Sequence, residues 1–356
     1  MVPRDISQRE ASMILRTAVL CIGAFFVGYL FTAWIRSFAL RKSILDIPNP
    51  RSSHVVARPR GGGLAFVSVF LLAVLFFVWL FPADRNLWFA LLGGGFLVGG
   101  VGWLDDRRRL SSWLRLLLYG LAIVWAVYWV GGLPQVQTGI GAIPLGLLGY
   151  GVAWFGAFCF VNLYNFMDGI DGLAAGEGLV VSIAAGGILT VAGDWELAVP
   201  CWFLAAGLAG FLPWNWPPAK IFMGDVGSNF LGFVFCVLAI SSENRSSVPL
   251  LIWVILLSVF LVDGIATLTR RLIHGEPPYK AHREHAYQRA VQQGYSHQQV
   301  TMTIMLINVV LAGFGFMAWH WPVALLPIVS LVGGLLFVLW WYFSRLPSVK
   351  KRGMVS

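Results

Sequence analysis

Long apolar runs separated by short polar connections set the pattern of this chain. They recur at roughly 13–35, 64–82, 87–104, 113–131, 144–161, 177–192, 197–212, 227–241, 249–269, 299–320 and 322–343. A helix rises about 1.5 Å per residue, so a hydrocarbon core of about 30 Å takes about 20 apolar residues. Helices satisfy every backbone group internally, which lipid demands. The pattern predicts an all-α polytopic integral membrane protein of about eleven transmembrane helices. No strict internal repeat or low-complexity tract interrupts it, so residues 1–356 read as a single transmembrane domain. The first run is long for a signal-peptide core and no clear small-residue cleavage site follows, so it reads as a retained helix.

Composition supports the same class. The chain is 58% hydrophobic and 12% charged, against about 45–50% and about 25% in soluble domains. The four cysteines, Cys21, Cys159, Cys201 and Cys236, all lie inside apolar runs, which disfavours a disulfide framework.

The charges are not spread evenly. Most of the 25 Lys and Arg fall in alternate connections. Arg36, Arg41, Lys42, Arg51, Arg58 and Arg60 follow the first run, and Arg107, Arg108, Arg109 and Arg115 the third. Lys220 follows the seventh, Arg270, Arg271, Lys280, Arg283 and Arg289 the ninth, and Arg345, Lys350, Lys351 and Arg352 the last. By the positive-inside rule the N-terminus lies outside and the C-terminus in the cytoplasm. The net charge of +9 is then a topology signal, and no nucleic-acid partner is expected.

The inward connections, about 36–63, 105–115, 162–176, 213–228 and 270–298, carry the chemistry. The first holds Arg51-Ser-Ser-His54 and Arg58-Pro-Arg-Gly-Gly-Gly63. Its glycines and arginines either cradle a phosphate or form a tight turn into the next helix. The second opens with Asp105-Asp106, suited to a divalent metal, to proton transfer, or to a solvated helix end. In the third, Asn165, Asp168 and Asp171 recur at a spacing of three without a local Lys or Arg. Such acids need a cation or ligand when buried. The fourth holds Asn215, Phe222 and a glycine-flanked Asp225. Asp225 suits an oxygen ligand to Mg²⁺ beside phosphate, and Phe222 either stacks on a base or is an interfacial aromatic. The fifth holds His282-Arg283-Glu284-His285, suited to a phosphate site, to proton transfer, or to a solvated amphipathic helix. Asp263, inside the ninth run, reads as a structural hydrogen-bonding group.

Taken together, acids that repel one another favour a bound Mg²⁺, with Mn²⁺ as the alternative, and the cations beside them suit a polyphosphate. Apolar helices next to such a site give access to a lipid. These observations lead to phosphoryl transfer between a soluble donor and a lipid acceptor.

Asp105-Asp106, Asn165-Phe-Met-Asp168-Gly-Ile-Asp171-Gly, Phe222-Met-Gly-Asp225-Val-Gly-Ser and the His282–His285 segment occur in the order seen in polyprenyl-phosphate N-acetylhexosamine-1-phosphate transferases. The resemblance covers most of the chain. The Arg-Ser-Ser-His and Pro-Arg-Gly-Gly-Gly segment looks closer to the O-antigen-initiating branch than to the phospho-MurNAc-pentapeptide translocase. It implies a bacterial inner-membrane enzyme with its active site facing the cytoplasm. Undecaprenyl phosphate would attack the β-phosphorus of a UDP-N-acetylamino sugar, releasing UMP and starting a lipid-linked glycan. It also implies roles. Asp225 would bind Mg²⁺ with Asn165, and Asp105, Asp106 and Asp168 would serve catalysis with His282 and His285. Asp171, Asn215, Phe222, Arg51, Arg60, Arg109 and Arg283 would contact substrates. Arg109 stands where the family often has lysine, and the histidines are not consecutive. The sugar, direct attack or a covalent intermediate, and oligomeric state, a homodimer included, stay open. The rival classes are a secondary transporter with a one-sided acidic site and a non-catalytic lipid-binding scaffold.

Overall fold

The computed structural model describes residues 8–47, 56–80, 85–108, 110–277 and 282–346. Arg51 and Arg109 lie outside the described residues. The chain begins with α1 (Gln8–Arg41), then a short antiparallel pair, β1 (Leu45–Asp46) with β2 (Arg58–Pro59), in the register Leu45↔Pro59. Next come α2 (Gly63–Leu80), α3 (Arg85–Phe89), a π-turn over Ala90–Gly94, α4 (Gly95–Arg108) and α5 (Ser112–Val130). A second antiparallel pair, β3 (Gln135–Gln137) with β4 (Ala142–Pro144), precedes α6 (Leu148–Met167), α7 (Leu173–Ala192), α8 (Trp195–Asn215) and α9 (Asp225–Asn244). The chain continues through α10 (Leu250–Leu256), α11 (Ser258–Ile273), α12 (Ala286–Gln292), α13 (His297–His320) and α14 (Leu325–Arg345).

Among the described residues, nine helical stretches are long and apolar enough to cross a membrane. The count is ten when α10 and α11, which meet at 81°, form one span. The protein is therefore an all-α, multi-pass membrane protein. The apolar run at 144–161 yields α6, a 20-residue helix that stands beside those nine. Its composition is diluted by Gly149, Gly151, Gly156, Asn162 and Asn165.

Local sequence explains several helix ends. Ser111 caps α5 by accepting the Leu114 N–H at 3.3 Å, and Asp194 caps α8 by accepting that of Leu197 at 3.3 Å. Ser296 and Gln299 form a capping box on α13. Gly131 and Gly193 close α5 and α7 in the left-handed conformation.

Helix α9 forms the axis of the fold, 94% of its best 18-residue window being buried. It packs on α2, α4, α5 and α6, with Phe230, Phe233 and Phe235 sealed from solvent. Two backbone approaches seat its first turn. A Cβ on Gly63 would lie 2.6 Å from the Gly227 Cα, and one on Gly102 would lie 2.5 Å from the Val226 Cα. Only glycine allows α2 and α4 to come this near. The far end of α9 is anchored by Glu243, which accepts the N–H groups of Gln137 and Leu250 at 2.6 Å each. Asn244 donates to the carbonyls of Val130 and Gly132.

Candidate active site

The first turn of α9 is where the separated polar motifs meet. Asp225 opens the helix. Its backbone N–H donates to Asp106 Oδ1 at 2.9 Å, and that of Val226 to Asp106 Oδ2 at 3.2 Å. Asp106, at the end of α4, thus fills the anion position at the N-terminus of α9. Arg60 bridges the two acids, with Nε 2.8 Å from Asp106 Oδ1 and Nη2 2.5 Å from Asp225 Oδ1. Arg115, in the first turn of α5, bridges a second pair, 2.8 Å from Asp105 Oδ2 and 3.1 Å from Asp225 Oδ2. Asp105 Oδ1 also accepts the Leu110 N–H at 2.7 Å. From the end of α6, Asn165 donates to Asp225 Oδ1 at 3.2 Å and to Ser228 Oγ at 2.7 Å.

Burial works against the charge on Arg60, but Asp225 and Asp106 outweigh it and raise its pKa above the ordinary guanidinium value. Asp168 follows α6 and feels Arg60, Asp225, Asp106 and Asp171. Its burial, reinforced by the nearby acids and only partly offset by Arg60, pushes its carboxyl well above the usual range.

Asp171 sits in a neighbouring arrangement. Its carboxylate accepts the Ala219 N–H at 3.0 Å and lies 3.4 Å from His297 Nδ1, and its carbonyl accepts the Thr301 hydroxyl at 2.9 Å. Burial alone would raise its pKa, yet the His297 hydrogen bond and the Ala219 N–H together hold it below the usual range.

Two glycines of the first connection spend their N–H groups on the backbone. The N–H groups of Gly62 and Gly63 donate to the carbonyls of Phe222 and Met223 at 2.9 and 2.8 Å, and the Phe222 N–H donates to Pro59. This continues the β2 edge onto the segment before α9. The pairing places Arg60 beside Asp225. Phe222 is fixed by the same pairing and is half-buried. Asn215 is sealed inside, accepting the Gly172 N–H and donating to the Ile221 carbonyl. Its polar atoms are used by the backbone, so direct substrate contact gives way to a positioning role.

The histidine segment reaches the site through intermediaries. Glu284 is clamped by Arg270 at 2.7 Å and Arg271 at 2.8 Å. His285, its side chain 2% exposed, lies 3.3 Å from Asp263 Oδ1, and the N–H groups of Ala286 and Tyr287 donate to the same carboxylate. Asp263 is therefore structural, as its place in an apolar run implied. The Tyr287 hydroxyl then donates to the Phe166 carbonyl at 3.0 Å, one residue from Met167 and two from Asp168. His285 positions this loop, whereas His282 and Arg283 are half-buried.

Three site residues escaped the sequence reading. Arg115 was visible only as a cation in an inward connection, although its place in the first turn of an apolar helix could have singled it out. Ser228 lies one helical turn after Asp225. His297 meets Asp171 across 126 positions, and no local pattern announces that contact.

The chain is similar to known proteins over most of its length. The model of Glycosyl transferase family 4 matches residues 88–243. The chain is 30% identical over 338 residues to a decaprenyl-phosphate N-acetylglucosaminephosphotransferase of Mycobacterium tuberculosis, covering 85% of this chain and 82% of that protein. It is 30% identical over 315 residues to an undecaprenyl-phosphate alpha-N-acetylglucosaminyl 1-phosphate transferase of Yersinia pestis, covering 85% and 84%. For the protein of the same description from Escherichia coli K12 the figures are 27% over 316 residues, covering 86% and 84%. The matched span contains both aspartate motifs around the first turn of α9, and the chain belongs to the polyprenyl-phosphate N-acetylglucosamine-1-phosphate transferases of glycosyl transferase family 4.

Proposed function

We propose that this protein transfers an N-acetylamino-sugar 1-phosphate, with N-acetylglucosamine the leading sugar, from a UDP-sugar to undecaprenyl phosphate at the cytoplasmic face of a bacterial inner membrane. One observation carries the reading: Asp105 and Asp106 from the end of α4 and Asp225 from the start of α9 are held together by Arg60 and Arg115 at one end of a lipid-embedded bundle. The printed names of the relatives, which act on decaprenyl and undecaprenyl phosphate, support the same chemistry. The acids sit at helix ends rather than mid-span, which disfavours the transporter alternative.

The reaction exchanges one phosphoanhydride for another. A lipid phosphate oxygen bonds to the β-phosphorus of the donor, and the bond from that phosphorus to the UMP oxygen breaks. The task of the protein is therefore positional and electrostatic. Arg60 and Arg115 hold their charge beside Asp225 and can turn toward incoming phosphate oxygens. Asp106 fixes the start of α9 and hence the placing of Asp225. Asp168 accepts no hydrogen bond among the described residues, so its carboxyl is free to orient the attacking phosphate or take its proton. Asp171 and Phe222 flank the position assigned to the uridine. His282 and Arg283 contact the diphosphate or sugar, with His285 positioning them.

A metal ion suits the donor set. Among the described residues no three His, Cys, Asp or Glu side chains form a ready-made centre. Mg²⁺, however, is commonly held by one or two carboxylates plus substrate phosphates and waters. Asp105 and Asp225, linked through Arg115, offer such a pair, and Asn165 is the amide beside them. Around Arg60 and Arg115 the acids outnumber the guanidiniums, which leaves negative charge for a divalent cation to neutralise. When bound, the ion would offset charge on the diphosphate. UMP release by purified protein supplied with UDP-N-acetylglucosamine, undecaprenyl phosphate and Mg²⁺ tests the reading. Release that needs both substrates and stops with EDTA is expected. No release with any UDP-N-acetylamino sugar would overturn the transferase, and full activity in EDTA the metal role.

A further inference from the structure

Helix α13 grips the candidate site from a second side, at the turn that bears Asp171. His297, Thr301, Met305 and Asn308 follow one another at steps of four, four and three, so they share one face of the helix. That face lies along α7 and the turn before it. The Thr301 hydroxyl donates to the Asp171 carbonyl at 2.9 Å, and the Thr301 Cγ2 would stand 3.4 Å from a Cβ on Gly172. Gly172 holds a left-handed backbone, φ +75°, and its N–H is taken by Asn215. Further along, Met305 fills the space that a Cβ on Gly176 would need, its Sδ 2.8 Å away, and Asn308 donates to the buried Glu177. Thr301, Met305 and Asn308 therefore carry the packing of α13 on α7. Its start rests on the Ser296–Gln299 capping box. His297 is spent on neither. Its Nδ1 lies 3.4 Å from both Oδ2 and the backbone N of Asp171. Among the described residues it makes no hydrogen bond or ion pair with Asp105, Asp106, Asp168 or Asp225.

We propose that His297 is a positioning residue for the nucleotide half of the site, holding Asp171 Oδ2 so that Oδ1 is presented to the nucleoside of the donor. The inference rests on the proposed transferase activity, with Asp171 beside the uridine, and adds the residue that sets its aim. A carboxylate turns about its own side-chain bonds unless one oxygen is pinned. Two groups pin Oδ2, the Ala219 N–H at 3.0 Å and His297 Nδ1, while Oδ1 accepts no hydrogen bond among the described residues. One oxygen is thus left with open lone pairs, suited to a ribose hydroxyl or a base N–H. The Ala219 contact also ties this carboxylate to the segment that reaches Phe222 three residues on. The two groups assigned to the nucleoside share one support, and His297 braces it from α13. Its effect falls on donor affinity, because Arg60 and Arg115 hold the acids around the first turn of α9 without it.

Steady-state UMP release and calorimetric binding of UDP by the purified full chain test this. His297→Ala should raise the KM for UDP-N-acetylglucosamine and the Kd for UDP about tenfold, as loss of one hydrogen bond to a charged group does. The KM for undecaprenyl phosphate and kcat should stay within about twofold. His297→Asn puts an amide near the Nδ1 position and should recover most of the affinity. His297→Gln, whose amide reaches the Nε2 position instead, should not. In an Asp171→Ala background, His297→Ala should add less than about twofold, because it acts through that carboxylate. Equal losses toward both substrates, recovery by Gln equal to that by Asn, or full additivity with Asp171→Ala would each overturn the role. If His297→Ala melts lower than the parent protein, the contrast between Asn and Gln decides the question. A parent protein that neither binds UDP nor releases UMP would overturn the transferase itself. A parent protein that releases UMP but binds UDP no better than His297→Ala would overturn the positioning role alone.

Discussion

Asp106 and Asp225 sit side by side yet differ in what their carboxylates already hold, and substitution should separate them. Asp106 accepts two backbone N–H groups and Arg60, so Asp106→Ala strands two buried donors at the start of α9. A loss of about 1–3 kcal/mol is expected, read as a lower melting temperature in detergent. Asp106→Asn keeps one acceptor and should melt nearer the parent protein. Asp225 instead faces Arg60, Arg115 and Asn165 through its side chain. Asp225→Asn should leave melting nearly unchanged while UMP release falls about 10²–10³-fold, the loss typical of a key electrostatic group. His282 supplies a pH test. Burial first, then His285 and Arg271, lower its pKa from 6.5 to about 4. The unfolded chain thus takes up a proton that the folded loop refuses, and stability falls as pH drops from 6.5 toward 4. His282→Gln should flatten the melting profile in that window, and an unchanged profile would remove His282 as its cause. At this scale the aspartates were legible because each lies in a local motif with glycine or a second acid. Arg115 and His297 were not, since Arg115 joins the nearby Asp105 to Asp225, 110 positions away, and His297 meets Asp171 across 126.

The helices were legible wherever one apolar run formed one element, because lipid requires about 20 such residues in a row. The departures have separate causes. The apolar run beginning at 144 starts its helix late because Ala142–Pro144 pairs with Gln135–Gln137 as a hairpin. The run at 249–269 breaks at Leu257 into two helices meeting at 81°, and nothing in the local sequence explains the break. Glycines in α4 look alike in sequence but not in the fold. A Cβ at Gly102 would strike the Val226 backbone at 2.5 Å, whereas one at Gly100 meets open space. Gly102→Ala should therefore push α4 off the first turn of α9, costing about 1–3 kcal/mol as overpacking does. It should lower UMP release as well, since Asp105 and Asp106 ride on α4. Gly100→Ala should melt at or slightly above the parent temperature, because it restricts the unfolded chain. Equal behaviour of the two variants would mean that α4 and α9 do not need this contact.

At the scale of the molecule, the link between topology and chemistry can be tested. The end of α4 and the starts of α2 and α9 touch one another, and the end of α6 and the end of α8 join them through Asn165 and Asn215. Residues from the connections expected to face the cytoplasm therefore assemble at one end of the bundle. The same end carries Arg60, Arg107, Arg115 and Lys220. The opposite end is held by Glu243, Asn244 and the β3–β4 hairpin, with Arg245 bonded to Asp194 and Glu196. By the positive-inside rule the acids are expected to face the same side as the cations, because both belong to the same loops. A UDP-sugar does not cross a bilayer, so only one vesicle orientation should support turnover. Inside-out membrane vesicles supplied with external UDP-N-acetylglucosamine should release UMP, and sealed right-side-out vesicles should do so only after permeabilisation. The reverse would mean that the arginine-rich end faces outward, and the cytoplasmic assignment would fail while the chemistry of the acid cluster stood.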